Sequence, residues 1–137
     1  MARFCSHPYL SGFTRYTSPL ILSSMAHLKD EDIQKLLAQT NSTYAQTRAA
    51  AVRDLCPCHI KKHIPEVWER LIALAEDPDR DVRNQVYHVL GDGSPHEYQA
   101  RIVAAYEKMT QDADEKIRRK ARKLMAQYRN SGKINVL

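Results

Sequence analysis

An internal period of 35 residues runs through this chain and leaves few folds open to it. Residues 47–55, 82–90 and 117–125 align without gaps, and their matched columns are chemically alike. Thr47, Val82 and Ile117 are followed by Arg48, Arg83 and Arg118. The core columns Ala51, Val86, Ala121 and Leu55, Leu90, Met125 come next, four residues apart. That spacing puts each set on one helical face. A short helix repeated at a fixed period cannot bury its apolar face alone, so it must stack on its neighbours.

A second helix of each repeat is expected between these segments, over residues 30–40, 64–76 and 97–111. The stripes Ile33, Leu36, Leu37, then Val67, Trp68, Leu71, Leu74, then Ile102, Val103, Tyr106, Met109 fall at three- and four-residue intervals. Trp68 lies inside such a stripe and reads as core. Asp77-Pro78-Asp79 and Asp112-Ala113-Asp114 supply turns and N-caps, and Gly91 to Pro95 separates the second pair from the third. The chain therefore reads as all-α, a right-handed solenoid of about three antiparallel helix pairs over residues 30–131.

These motifs resemble the HEAT repeat family, in its short bilin-lyase-like form. Its mark is an Asp-rich turn followed by Val-Arg and a small core residue, carried here by residues 77–83 and 112–118. The first repeat departs from it, with Asn41 and Ser42 in the turn and Thr47 in place of Val. Tetratricopeptide and ankyrin repeats have similar periods, of roughly 34 and 33 residues, but their signatures are absent. The resemblance implies that the Arg of each repeat reaches an Asp of a turn, which makes Arg48, Arg83 and Arg118 structural. It also implies an accessory role beside bilin lyases as one alternative, although a repeat fold does not carry function.

At 137 residues the chain is sized for one domain, and 43% apolar content suffices for a core. No apolar run approaches the roughly 18 residues of a membrane span, so no membrane association is expected. Three cysteines, two of them one residue apart, do not make a secreted disulfide scaffold. A reducing, cytoplasmic setting is expected. Residues 1–29 hold Arg3, Arg15 and Lys29 and no acid, lack helical periodicity, and read as an extension or disordered segment. Residues 132–137 read as a C-terminal tail.

The second helices form the natural docking surface. Arg53, Asn84, Tyr87, His88, Arg119, Arg122 and Lys123 are expected to project from it, a mix of aromatic and guanidinium groups suited to recognising another protein. The net charge of +5 is uneven: +3 over residues 1–29, −3 over 30–108 and +5 over 109–137. Lys116, Arg119, Lys120 and Lys123 share one arc of the last helix, which makes a nucleic-acid-binding module the alternative. Alkylpurine DNA glycosylases also have HEAT-like folds, but this chain is short for their wrapped groove. Self-association through exposed repeat ends is a further expectation.

The most chemically suggestive segment is Cys56-Pro57-Cys58-His59. The turn at Gly91 to His96 comes one repeat later and should lie along the same edge. Cys56, Cys58 and His59, with His88, His63 or His96 as a further donor, could surround zinc. The expected metal set is Cys56, Cys58, His59 and His88, and no other cofactor is implied. Ser94 sits in a turn rather than a nucleophile elbow, and no Walker loop, dinucleotide fingerprint or His-Glu-x-x-His occurs. No catalysis is expected.

Overall fold

The computed structural model describes residues 28–134, and contains seven α-helices and no strand among them. The helices are α1 (Asp30–Gln39), α2 (Ala45–Asp54), α3 (Pro57–Ile60), α4 (Pro65–Ala73), α5 (Arg80–Leu90), α6 (Gln99–Met109) and α7 (Glu115–Ser131). Tight 3-10 turns extend α4 over Leu74–Glu76 and lead into α6 over His96–Tyr98. Cys5 and nearly all of the expected N-terminal extension lie outside the described residues.

Turn chemistry sets where the second helices begin. Asp79 Oδ1 accepts from the amides of Asp81 (2.8 Å) and Val82 (3.2 Å), and Asp114 Oδ1 from those of Lys116 (2.9 Å) and Ile117 (3.0 Å). Each cap satisfies amides that have no partner within the helix, and is worth about 1 kcal/mol. Pro57 and Pro65 open α3 and α4 at a position where the missing N–H costs nothing.

The pairs α1/α2, α4/α5 and α6/α7 each pack face to face. They stack in chain order, with α2 on α5, α5 on α7, and α4 on α6. The core columns read from the 35-residue period are buried as expected. Leu55, Leu71, Val86, Leu90, Ile102, Tyr106 and Ala121 are all sealed from solvent. Trp68 is core as well, stacked on Tyr98 at 6.1 Å. Burying each Leu, Ile or Val contributes about 1.5–3 kcal/mol, so packing outweighs any single cap. The segment read as a tail returns to the core at its first residues: Gly132 turns the chain with φ 66°, Gln99 donates to its carbonyl, and Ile134 is buried.

A ladder of arginines and aspartates ties successive turns together. Arg48 grips Asp77 through Nε and Nη2, both at 2.9 Å, and Arg83 grips Asp112 at 2.7 and 2.9 Å. The third nitrogen of each fork donates to carbonyls of its own turn, Ser42 and Thr43 for Arg48, Asp77 and Pro78 for Arg83. Arg118 makes the own-turn bonds to Asp112 and Ala113, and has no carboxylate partner among the described residues. Burial pushes the Asp77 carboxyl up, but the Arg48 bonds and the Asp79 amide outweigh it and hold the group below the ordinary value. At Asp112 the Arg83 bond dominates, in the same direction. Arg48 and Arg83 thus tie neighbouring turns as the resemblance implied, whereas Arg118 holds only the carbonyls of its own turn.

Candidate functional site

Four cations of the first-helix side and four of α7 differ in how they are paired. On the first-helix side they are spent on carboxylates: Arg101 on Glu69 (Nη2 to Oε2, 2.7 Å), Lys108 on Glu76, Lys62 on Asp30 (3.1 Å) and Lys35 on Asp32 (3.5 Å). On the second-helix side Lys116, Arg119, Lys120 and Lys123 of α7 are all exposed, and among the described residues none is in an ion pair. On α2 and α5, Arg53 pairs with Asp54 at 3.2 Å, and Arg80 pairs with Asp81 at 2.9 Å and with Asp114 at 3.9 Å. Lys120 reaches across to α5, where its Nζ donates to Asn84 Oδ1 at 3.1 Å and stands 5.8 Å from the Tyr87 ring centre.

Of the residues expected to project from this face, Arg53, Asn84, Arg119, Arg122 and Lys123 are exposed. Arg122 is nonetheless engaged, its Nε donating to the Thr110 carbonyl at 3.1 Å. Tyr87 and His88 do not project freely. Tyr87 is half-buried between α5 and α7, edge-on to Tyr106, with its hydroxyl donating to the Lys120 carbonyl. The cause is angular, because Tyr87 lies at the flank of α5 that meets the next repeat. His88 lies at the opposite flank, half-buried toward the end of α2 with its Nε2 sealed from solvent. The strip is therefore narrower and more purely cationic than a reading from helical wheels gives.

The cysteine segment follows α2. Leu55 ends that helix, Cys56 adopts an extended conformation, and Pro57 starts the single turn of α3, which Lys61 closes in the left-handed region at φ 52°. This geometry aims both thiols toward the turn after α5. Cys56 Sγ is 2.8 Å from Cys58 Sγ and 3.0 Å from Asp92 Oδ2. Burial pushes the Cys56 thiol up, and its bonds to Cys58 and Asp92 push further in the same direction. A small cleft lined by Arg53, Cys56, Cys58, His59, Gln85 and His88 adjoins the group.

The structure thus brings Cys56 and Cys58 together and places His59 and His88 at the same cleft, although His59 is exposed. His63 is engaged elsewhere, 2.9 Å from Glu97 and tilted against Tyr98, and His96 faces solvent on its own turn. Asp92 was missed at the sequence level. The signal that could have found it was its place in the turn one repeat after the cysteines.

Residues 33–121 match the family model for HEAT repeats. No curated protein and no solved structure matches the chain. No helix among the described residues is long and apolar enough to cross a membrane.

Proposed function

The chain belongs to the HEAT repeat family, and from that premise we propose that it is a non-catalytic adaptor that holds an acidic segment of another protein on its second-helix face. HEAT repeats are commonly protein-interaction scaffolds, and proteins built from them are generally not catalysts. The observation that carries the reading is the contrast in charge pairing. Lys35, Lys62, Arg101 and Lys108 of the first-helix side pair with carboxylates, while Lys116, Arg119, Lys120 and Lys123 of α7 are exposed and, among the described residues, in no ion pair, with Lys120 bonded to Asn84. A row of unpaired cations on a rigid surface attracts carboxylates over about a Debye length and fixes their register on contact. Tyr87 lies beneath Lys120 at one flank of α5, and Arg122 is exposed on α7.

The test is affinity capture from the native host with the full chain, run with and without nuclease. An Arg119→Glu, Lys123→Glu double variant is expected to lose a protein partner at least tenfold, while Lys35→Glu on the first-helix side retains it. Partners that vanish on nuclease treatment, with nucleic acid recovered in their place, would transfer the strip to phosphate binding. Retention of the same protein by the double variant would remove the face from the mechanism.

A further inference from the structure

Two thiols and a carboxylate meet at the seam between the first and second helix pairs. The Sγ atoms of Cys56 and Cys58 and a carboxylate oxygen of Asp92 all lie within 4.8 Å of one another. Cys56 is buried, and the other two are half-buried. Cys58 donates to Cys56 Sγ and Cys56 to Asp92 Oδ2, so a metal that took both sulfurs as thiolates would displace two protons and occupy the place of these bonds.

We propose that Cys56, Cys58 and Asp92 hold a thiophilic divalent cation, zinc by the character of the donors, with the His88 imidazole as the fourth ligand. Two thiolates with one carboxylate and one imidazole make a set that suits tetrahedral zinc and excludes calcium and magnesium, which demand oxygen. His88 lines the adjoining cleft from α5 but stands outside the trio within 4.8 Å, so its ring has to move toward the ion to complete the set.

The two turns that supply the ligands are preset by their own backbone chemistry. Pro57 fixes the bend between the cysteines, and Gly93 beside Asp92 holds φ at 78°, a conformation that side chains rarely adopt. A Cβ on Gly93 would already meet Pro57 Cβ at 4.0 Å, which shows how closely the turns approach. Two thiolates on one tetrahedral zinc stand about 3.8 Å apart, given a Zn–S bond of about 2.3 Å. Cys58, on the solvent side of the pair, has to swing outward by about 1 Å to admit the ion. The consequence is a second clasp between the repeats. Arg48 and Asp77 pin the N-terminal ends of α2 and α5, and the ion pins their C-terminal ends, beside Arg53 of the docking strip.

The experiment uses the full chain carrying Cys5→Ser, so that only two thiols remain, reduced and stripped with a chelator. Titration with cobalt(II) is expected to saturate at one equivalent, with thiolate-to-metal charge-transfer absorption and the intense visible bands of a tetrahedral site. Zinc should displace cobalt and raise the thermal midpoint with concentration, since it binds only the folded form. Cys58→Ser and Asp92→Asn should each weaken binding at least tenfold, and His88→Gln should shift the visible bands, with helical circular dichroism unchanged in all three. Free thiols with no charge-transfer band would overturn the proposal. So would affinity unaltered in both Cys58→Ser and Asp92→Asn. A Cys56–Cys58 disulfide resisting reductant would overturn it as well, and make the pair a redox couple.

Discussion

Gly91 shows how one missing methyl group can set a helix end. It follows α5, and a Cβ built there would stand 2.9 Å from the Tyr106 hydroxyl, which donates to the Tyr87 carbonyl at 2.6 Å. Tyr106 is fully buried, and burial pushes its phenol up, so it stays a neutral donor at any ordinary pH. Gly91→Ala is expected to displace that hydroxyl and cost about 1–3 kcal/mol, the range for overpacking and for a buried polar group deprived of its partner. Urea midpoints should show the penalty shrinking when Tyr106→Phe is present, because the oxygen that clashes is gone. An equal penalty in both backgrounds would mean that the backbone, not the hydroxyl, resists the methyl. Sequence alone marks Gly91 only as a turn residue. The approach of Tyr106 from the next repeat depends on how the pairs stack.

Among the elements, the ladder separates inner rungs from the last one. Arg83 is joined to both its own turn and Asp112, with the two side chains 13% and 5% exposed. Arg118 holds its own turn alone. Removing one member of a nearly buried ion pair strands the other, at about 3–5 kcal/mol. Arg83→Met is therefore expected to cost far more than Arg118→Met, which loses only bonds to the Asp112 and Ala113 carbonyls and strands no ion-pair partner. Chemical denaturation of the two variants side by side measures the difference, and equal losses would deny the inter-repeat rung its role. The first turn shows why the ladder does not begin earlier. Ser42 stands where later turns carry Asp77 and Asp112. Its hydroxyl accepts from the Tyr44 amide as Asp77 accepts from that of Asp79, so the turn is kept while the anionic rung is absent.

For the whole molecule, the same carboxylates make stability depend on acid. Asp77 and Asp112 are held below the ordinary carboxylate value in the fold, so between folded and unfolded pKa the unfolded chain binds more protons. Their contribution is fully present above about pH 4, near the unfolded value, and is lost as pH falls through the folded one. Melting temperature should accordingly hold steady from neutral pH to about 5 and drop below about 4. Asp112→Asn should lower the plateau and soften the drop. An identical acid limb in that variant would place the sensitivity elsewhere.

Sequence periodicity was enough to establish the family, the three helix pairs and the core columns, because a 35-residue register and a four-residue apolar spacing are local properties of the chain. The Arg and Asp residues of the ladder were legible too, since they recur at that same period. Tyr87 and His88 were misplaced because a helical wheel separates core from surface but does not say which flank meets a neighbour. The 35-residue period puts the turn of Asp92 on the same edge as Cys56, but which residue of that turn meets the thiol was not legible for a related reason. The two lie 36 residues apart, and no pattern of spacing reports the sideways offset at which one repeat settles against the next. That offset is set by side-chain packing across the seam, a property of the stacked molecule and not of any segment of it.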